Sequence, residues 1–405
     1  MTERVAEAPL AGIHVLDFTA NMSGPMATMI LGDQGADVIK VEPPEGDVIR
    51  ALGSARNGMS AYFANLNRSK RFVTADVKSS EGAELIDKLL DWADVMIHNF
   101  RPGVTERLGL DADTVRNGRP ELIYVEITGF GTVGPYGNRP AYDHVIQAIS
   151  GFAANQRLAR DATSRPALVR QGIIDKLTGM AAAQATTAAL LQRNQTGVGR
   201  TVEVRMLDVA VATLWPDAMM SSTLLEPHDA QPSIAQSFQL TETADGLIAF
   251  ILVKAAAFKR LAEGLNLPGA SDLPTAGVRR LGGDVFAEVV RRVRTLSTAE
   301  AVALLSRLDI PVAPVVGLDE LHEHPQIRSS DVIDEFTHPV VGRVRQANPA
   351  VRFADERAAT MRHAGEVGRD NDEVVRELGD SRRRGPRLDC DDLMDPAAAA
   401  EPCHG

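Results

Sequence analysis

One aspartate has the surroundings of a nucleophile. Asp175 lies in Gly172-Ile173-Ile174-Asp175-Lys176-Leu177-Thr178-Gly179, just ahead of an alanine-rich stretch. An aspartate, with an unperturbed pKa near ~3.9, is ionised at neutral pH and needs no base to activate it. The same position suits a helix N-cap, where a carboxylate accepts orphan N–H groups, and the residues leave both roles open. Cations form a second set: Asn67-Arg68-Ser69-Lys70-Arg71 is followed by Asp76 and Lys78, and later by Arg101 and Arg107. Such runs are usually solvated faces. Arg and Lys also hold phosphate oxygens, and cations at strand ends of an acidic chain tilt the reading towards a phosphate site. Other chemistries find little support. His98 and His144 show no metal-ligand spacing and read as loop or surface residues. No serine stands in G-x-S-x-G, so a hydrolase elbow is not supported. Asp17 and Asp37 fit strand-end and turn positions and are assigned no chemistry.

These residues need elements to position them, and the first such unit is Ile13 to Arg50. Val15, Leu16 and Phe18 make a short apolar run, Ser23-Gly24-Pro25 reads as a turn, Ala27 to Leu31 as a helix, and Ala36 to Val41 as a second buried strand. This βαβ pattern builds a parallel sheet whose ligands sit beyond the strand ends. The three spaced glycines of a dinucleotide fingerprint are missing, so an NAD-dependent oxidoreductase is not supported and any nucleotide is held differently. Ser79 to Ala93 reads as an amphipathic helix, Asp94 to Ile97 and Leu122 to Ile127 as strands, and Thr178 to Gln192 as a helix stopping at Thr196 to Gly199. Strand Thr201 to Met206 and a helix from Asp208, interrupted or ended by Pro216, follow.

The character changes near Glu226. Leu240 to Thr243 and Leu247 to Val253 flank Ala-Asp-Gly as a hairpin. Helices follow around Phe258 to Gly264 and Phe286 to Thr295, and a third opens at Ser297 with Glu300 completing a capping box. The expected architecture is α/β: a Rossmann-like large domain over 1–205, a linker over 206–228, and a smaller α+β domain over 229–325. A return segment covers 326–380, with a helix at Asn371 to Leu378, and a disordered tail covers 381–405.

Among 405 residues, 44% are apolar and 24% charged, which is ordinary for a globular protein. A net charge of −11 argues against broad nucleic-acid binding. No apolar run approaches the ~20 residues of a membrane span, and MTERVAEAPLAG lacks a signal-peptide pattern. Cys390 and Cys403 both lie in the polar tail, so a disulfide scaffold, a Cys-ligated zinc and a Cys nucleophile are not expected. A cytoplasmic address follows as an expectation.

Eight stretches in order carry a resemblance: VLDFT, SGPMAT, GADVIKVEPPEGD, NRSKR, ADVMIHNFRPGVTERLGL, LIYVEITGFGTVGPY, PAYDHVIQAISG and IIDKLTG. The chain resembles the class III (CaiB/BaiF-type) CoA-transferases from Leu10 to about Asn348, and weakly again over Asn371 to Gly379. The resemblance implies that Asp175 is the family's nucleophilic aspartate, which becomes in turn a mixed anhydride and an aspartyl-CoA thioester. It implies CoA contacts at Asn99, Phe100, Arg101 and Arg107, along Ala75, Asp76 and Lys78, and at the Met22-Ser23 turn near the pantetheine thiol. Tyr142 would stand beside the reactive centre. No permanently bound cofactor is implied; coenzyme A enters as part of the acyl-CoA substrates, with a carboxylic acid as acceptor. Two chains would interlock as a homodimer.

Some positions depart from the better-known members. Met22 replaces the glutamine of formyl-CoA transferase, and Leu252-Val253-Lys254-Ala255-Ala256-Ala257 replaces its glycine run. A mobile glycine flap and a formate or oxalate substrate are therefore not expected, and Met22 leans towards a larger, less polar acid. Alpha-methylacyl-CoA racemases share the fold but place a histidine before Asp143. Here that position is Tyr142, a poor base at neutral pH. A non-catalytic CoA-binding subunit of a hetero-oligomeric transferase is a further alternative, opposed by the presence of Asp175.

Overall fold

A computed structural model describes residues 8–137, 139–157, 163–227, 234, 238–252, 254–273, 284–353 and 362–380. The segment read as a disordered tail, 381–405, lies outside the described residues, as does Val253. The chain divides into two compact units. One comprises Met1–Gln156, Pro166–Thr213 and Asp334–Gly405; the other comprises Arg157–Arg165 and Leu214–Ile333.

The first unit alternates strands and helices. It runs β1 (His14–Phe18), α1 (Ser23–Asp33), β2 (Asp37–Glu42), a short hairpin of β3 (Ala55–Arg56) and β4 (Met59–Ser60), α2 (Ala61–Leu66), β5 (Lys70–Thr74) and α3 (Ser80–Trp92). Then come β6 (Val95–His98), α4 (Val104–Leu108), α5 (Ala112–Arg116), β7 (Ile123–Thr128), α6 (Asp143–Ile149), α7 (Phe152–Asn155), α8 (Ile173–Thr196) and β8 (Thr201–Arg205). The six longer strands form one parallel sheet in the order β5-β2-β1-β6-β7-β8. The order reverses between β1 and β6, which opens a crevice beyond their carboxyl ends, the usual ligand position in such sheets.

Both faces of this sheet are buried from β5 across to β7, which is why β1, β2, β6 and β7 read as largely apolar runs, while the edge strand β8 is mostly outside the core. Val15, Val38, Val95, Ile97 and Val125 pack under Ala27 and Leu31 of α1 and Ala182, Ala183 and Leu190 of α8. Leu16, Ile39, Val73, Met96 and Tyr124 pack on the other side under Ile86, Leu89 and Leu90 of α3. The return segment closes the β5 edge: Asp370 Oδ2 accepts Phe72 N at 2.7 Å and Asn371 Oδ1 accepts Thr74 N at 2.9 Å.

Two helix starts differ from the sequence reading. Ser23-Gly24-Pro25, read as a turn, instead opens α1; proline is tolerated in a first turn because its missing N–H would have no intrahelical partner there. The alanine-rich helix begins at Ile173, five residues before Thr178, so Asp175 lies inside its first turn. Glycine lets α8 approach α1: a Cβ on Gly179 would stand 2.7 Å from Ser23 O and 3.0 Å from Met26 Cβ. Gly179→Ala is expected to destabilise by about 1–3 kcal/mol, seen as a lower urea midpoint at an unchanged m-value.

Helix α9 (Met206–Ala218) follows β8 and contains Pro216, which neither interrupts nor ends it; α10 (Met220–Thr223) comes next. In the second unit β9 (Thr241–Glu242), β10 (Leu247–Phe250) and β11 (Val312–Pro314) form an antiparallel sheet in the order β11-β10-β9. Helices α11 (Ala255–Gly264), α12 (Asp284–Val293) and α13 (Thr298–Arg307) bury Phe258, Leu261, Val289, Val293, Ala301 and Leu305 with Ile248. Ser297 and Glu300 make both bonds of the expected capping box. Helix α14 (Pro325–Ser329), the hairpin β12 (Ile333–His338) and β13 (Gly342–Ala347), and α15 (Asn371–Asp380) complete the order.

Candidate active site

The crevice is laced together before any ligand enters. Asn99, just past β6, reaches across to the loop after β1: its Oδ1 accepts Ala20 N at 2.9 Å and its Nδ2 donates to Ala20 O at 2.7 Å. The carboxamide is thus spent on the chain itself. Phe100 stacks on His98 with ring centroids 5.5 Å apart. His98, read from sequence as a loop or surface residue, is fully buried at the end of β6. Its Nδ1 accepts Phe100 N at 3.3 Å, and burial pushes its pKa down to about 4, so the ring is neutral.

Asp175 is held at the head of α8 by a second aspartate. Asp143, at the start of α6 and 4% exposed, accepts Ile174 N at 2.7 Å and Asp175 N at 3.0 Å through one oxygen, Oδ2. That is the work of an N-cap side chain, delivered from another helix; α8 has Gly172 at its own N-cap and no side-chain bond there. The N-cap reading of Asp175 is thereby corrected: Asp143 supplies the cap, and the Asp175 carboxylate is left over. Asp143 Oδ1 accepts Gln147 Nε2 at 2.5 Å. Gln147 in turn donates to Val169 O and Gln171 O, each at 3.2 Å, and accepts Val169 N at 2.8 Å. The loop leading into Asp175 is therefore fixed on both sides.

Electrostatics raise the basicity of this carboxylate. Burial, followed by the neighbouring Asp143 charge, pushes the Asp175 pKa up to about 6; Ser23 and, less, His144 pull the other way. Position in a first helical turn also favours the anion, but burial outweighs it. A Cβ on Gly172 would lie 2.7 Å from Met22 Sδ and 3.7 Å from Asp175 Oδ2, which places the thioether and the carboxylate at the same corner. Met22, Met26 and Tyr62 line one apolar cluster with Phe63 and Met59. Burial and then the Asp175 charge push the Tyr62 pKa up to about 12, so its hydroxyl stays protonated.

The cations sort into two groups. The Asn67–Arg71 run is neither a solvated face nor a phosphate site, because each of its cations is buried against an acid. Arg68 pairs with Asp33 at 2.7 Å, Lys70 with Asp17 at 3.0 Å, and Arg71 with Asp37 and Glu377, each at 2.5 Å. Lys78, Arg101 and Arg107 are exposed and form no ion pair with any described residue. All three follow the carboxyl ends of β5 or β6. Ala75 is buried, and Asp76 turns the chain by accepting Lys78 N at 2.9 Å.

Met22 and Ser23 lie beside Asp175, and Tyr142 stands immediately before Asp143, exposed at 57%. Sequence reading missed Asp143, Gln147 and Tyr62 as parts of the site. A pointer lay in the acid and amide at i and i+4 of one short helix, a spacing that puts them on one face. For Tyr62 no spacing signal exists. Among the described residues no group of three or more His, Cys, Asp or Glu could hold a metal, and no helix is long and apolar enough to cross a membrane.

A parallel sheet with an aspartate near the strand ends defines an α/β protein with a candidate site there, and comparison with known proteins says what class it belongs to. The model of CoA-transferase family III matches residues 10–371, so the chain belongs to that family and is a CoA-transferase. It is 31% identical to a succinate–glutarate CoA-transferase of Agrobacterium fabrum, covering 79% of this chain and 83% of that one. It is also 31% identical to a formyl-CoA:oxalate CoA-transferase of Escherichia coli, covering 92% and 96%. The crystal structure of Rv3272 from Mycobacterium tuberculosis, a protein named "Probable fatty acyl-CoA transferase", superposes with a TM-score of 0.78 at 30% identity, covering 91% of this chain and 99% of that one. A family protein from Brucella suis gives 0.76 at 27% identity, covering 92% and 100%.

Proposed function

We propose that the protein moves CoA between two carboxylic acids through covalent intermediates on Asp175. The observation that carries this reading is a carboxylate raised to about 6, freed from capping duty by Asp143, at the mouth of the strand-end crevice. Asp175 attacks the thioester carbonyl of a donor acyl-CoA; the C–S bond breaks, giving a mixed anhydride and CoA thiolate. The thiolate attacks the aspartyl carbonyl of the anhydride, the C–O bond breaks, and the donor acid leaves an aspartyl-CoA thioester behind. An acceptor carboxylate runs the sequence in reverse and departs as the new acyl-CoA. Each step exchanges one activated acyl bond for another, so no ATP is needed, provided water is kept out.

In this reading Arg101, Arg107 and Lys78 meet the CoA phosphates, Ala75 and Asp76 run along the nucleotide, and Phe100 lies against it. Asn99 shapes the loop by holding Ala20. Met22 and Ser23 flank the pantetheine thiol, with Tyr142 beside the reacting carbonyl. Met22, Met26 and Tyr62 favour an acid larger and less polar than formate or oxalate. We assign the molecule as a homodimer of cytoplasmic chains, with CoA arriving only as part of its substrates.

Arg101→Ala and Arg107→Ala are each expected to raise KM for the acyl-CoA about tenfold with kcat within about twofold, since phosphate contacts bind ground and transition states alike. Steady-state kinetics at constant ionic strength reads this directly. The reading as a whole is tested by screening acyl-CoA donors against carboxylic acids by mass spectrometry, with hydroxylamine added to trap acylated Asp175 as its hydroxamate. Absence of any adduct on the peptide containing Asp175, under conditions where transfer proceeds, refutes the covalent route. Deuterium wash-in at the α-carbon of a 2-methylacyl-CoA would point to racemisation instead.

A further inference from the structure

Beneath the turn that carries Met22 and Ser23 lies a cluster of charges the transfer chemistry does not use. Asp17 of β1, Lys40 of β2 and Lys70 of β5 are 0%, 1% and 0% exposed. Asp17 Oδ1 accepts Thr19 N at 2.8 Å and Thr19 Oγ1 at 2.5 Å, and its Oδ2 accepts Thr28 Oγ1 at 2.6 Å. Lys40 Nζ donates to Thr19 O at 2.5 Å and pairs with Asp47 at 3.1 Å. Lys70 Nζ donates to Asp17 Oδ2 and Pro25 O, both at 3.0 Å, and to Asn67 Oδ1 at 2.8 Å. Next to Asp47, Glu42 is held by Arg50 at 2.6 Å. These are the charged groups that β1, β2, β5 and the Val48–Ala51 turn present to the cluster.

Taking such ions out of water is costly, and well-packed apolar residues often serve stability as well or better. What this cluster does supply is direction. Its bonds to backbone all end on Thr19 and Pro25, and its hydroxyl partners are Thr19 and Thr28. That segment brackets Met22 and Ser23, the residues against Asp175. We propose that Asp17, Lys40 and Lys70 are positioning residues for the transfer reaction, fixing Thr19–Thr28 so that Met22 and Ser23 stand against the Asp175 carboxylate. This inference rests on the nucleophilic reading of Asp175.

Hydrogen exchange read by mass spectrometry on the full-length protein without substrate tests this: amides of Thr19–Thr28 are expected to exchange about tenfold faster in Lys70→Met than in wild type. Because that variant risks misfolding, Thr28→Val and Thr28→Ser form a second pair. The valine is expected to speed exchange of the segment and to lower kcat about tenfold, with KM for the acyl-CoA within about twofold; the serine should restore both. Exchange indifferent to Thr28→Val overturns the proposal, as does an unchanged kcat in that variant. A wild-type protein that never forms an adduct at Asp175 refutes the nucleophile instead, and is thereby distinguished from an adduct-forming protein whose variants behave like wild type.

Discussion

Asp175→Asn is expected to lower kcat at least about a thousandfold, because no other group in the crevice replaces a lost nucleophile, and to make the protein more stable at neutral pH. The second half follows from the direction of the pKa shift. Asp175 rises from 3.8 to about 6 on folding, so between those values the folded state holds the extra proton and stability falls as pH rises. Above about 6 the full cost of a buried, repelled carboxylate is present, at most about 3 kcal/mol for a shift of this size. Below 3.8 it vanishes. The asparagine variant should therefore melt a few degrees above wild type at neutral pH and coincide with it in acid, measured by calorimetry across pH. The same titration sets an acid limb near 6 in the wild-type profile of kcat/KM, since only the anion attacks. A variant that loses activity without gaining stability would mean that Asp175 is not held at such a cost.

Asp143→Ala is expected to lower kcat about a hundredfold although Asp143 touches no reacting atom, because it would let the head of α8 move by a fraction of the reach a nucleophile can spare. It strips the acceptor from Ile174 N and Asp175 N, a loss of about 1–3 kcal/mol in stability. It also removes the like charge beside Asp175, so the acid limb of kcat/KM shifts below its wild-type position near 6 while burial keeps it above 3.8. Asp143→Asn keeps one acceptor oxygen, so it should retain more activity yet show the same downward displacement of the limb. Steady-state kinetics over pH separates the two effects. A limb that stays put in both variants would show that Asp143 acts on geometry alone.

The strands and most helices were legible because a parallel sheet buried on both faces leaves continuous apolar runs, as at Val15–Leu16 and Val95–Ile97. Caps were legible where side chain and backbone lie three residues apart, as at Ser297 and Glu300. The start of α8 was misplaced for the opposite reason: its cap comes from Asp143, thirty-two positions before Asp175, and a distant acceptor leaves no local signal. The basic run Asn67–Arg71 misled in the same way. Its composition matches a phosphate site, yet the acids that neutralise it sit on α1, β1, β2 and α15.

The sequence by itself determined the strands of the sheet and the family resemblance, and singled out Asp175 as the candidate nucleophile, because these are written in residue types, their periodicity and their order. Only the tertiary structure decided which charges are spent on the fold and which stand exposed without an ion pair among the described residues, since that depends on whether a partner is present in space. Arg101 and Arg71 are alike as letters; one stands exposed beyond a strand end, and the other is buried between carboxylates. The basicity of Asp175 belongs to the same class of facts. It comes from burial and from Asp143, and neither is a property of the residue or of its neighbours along the chain.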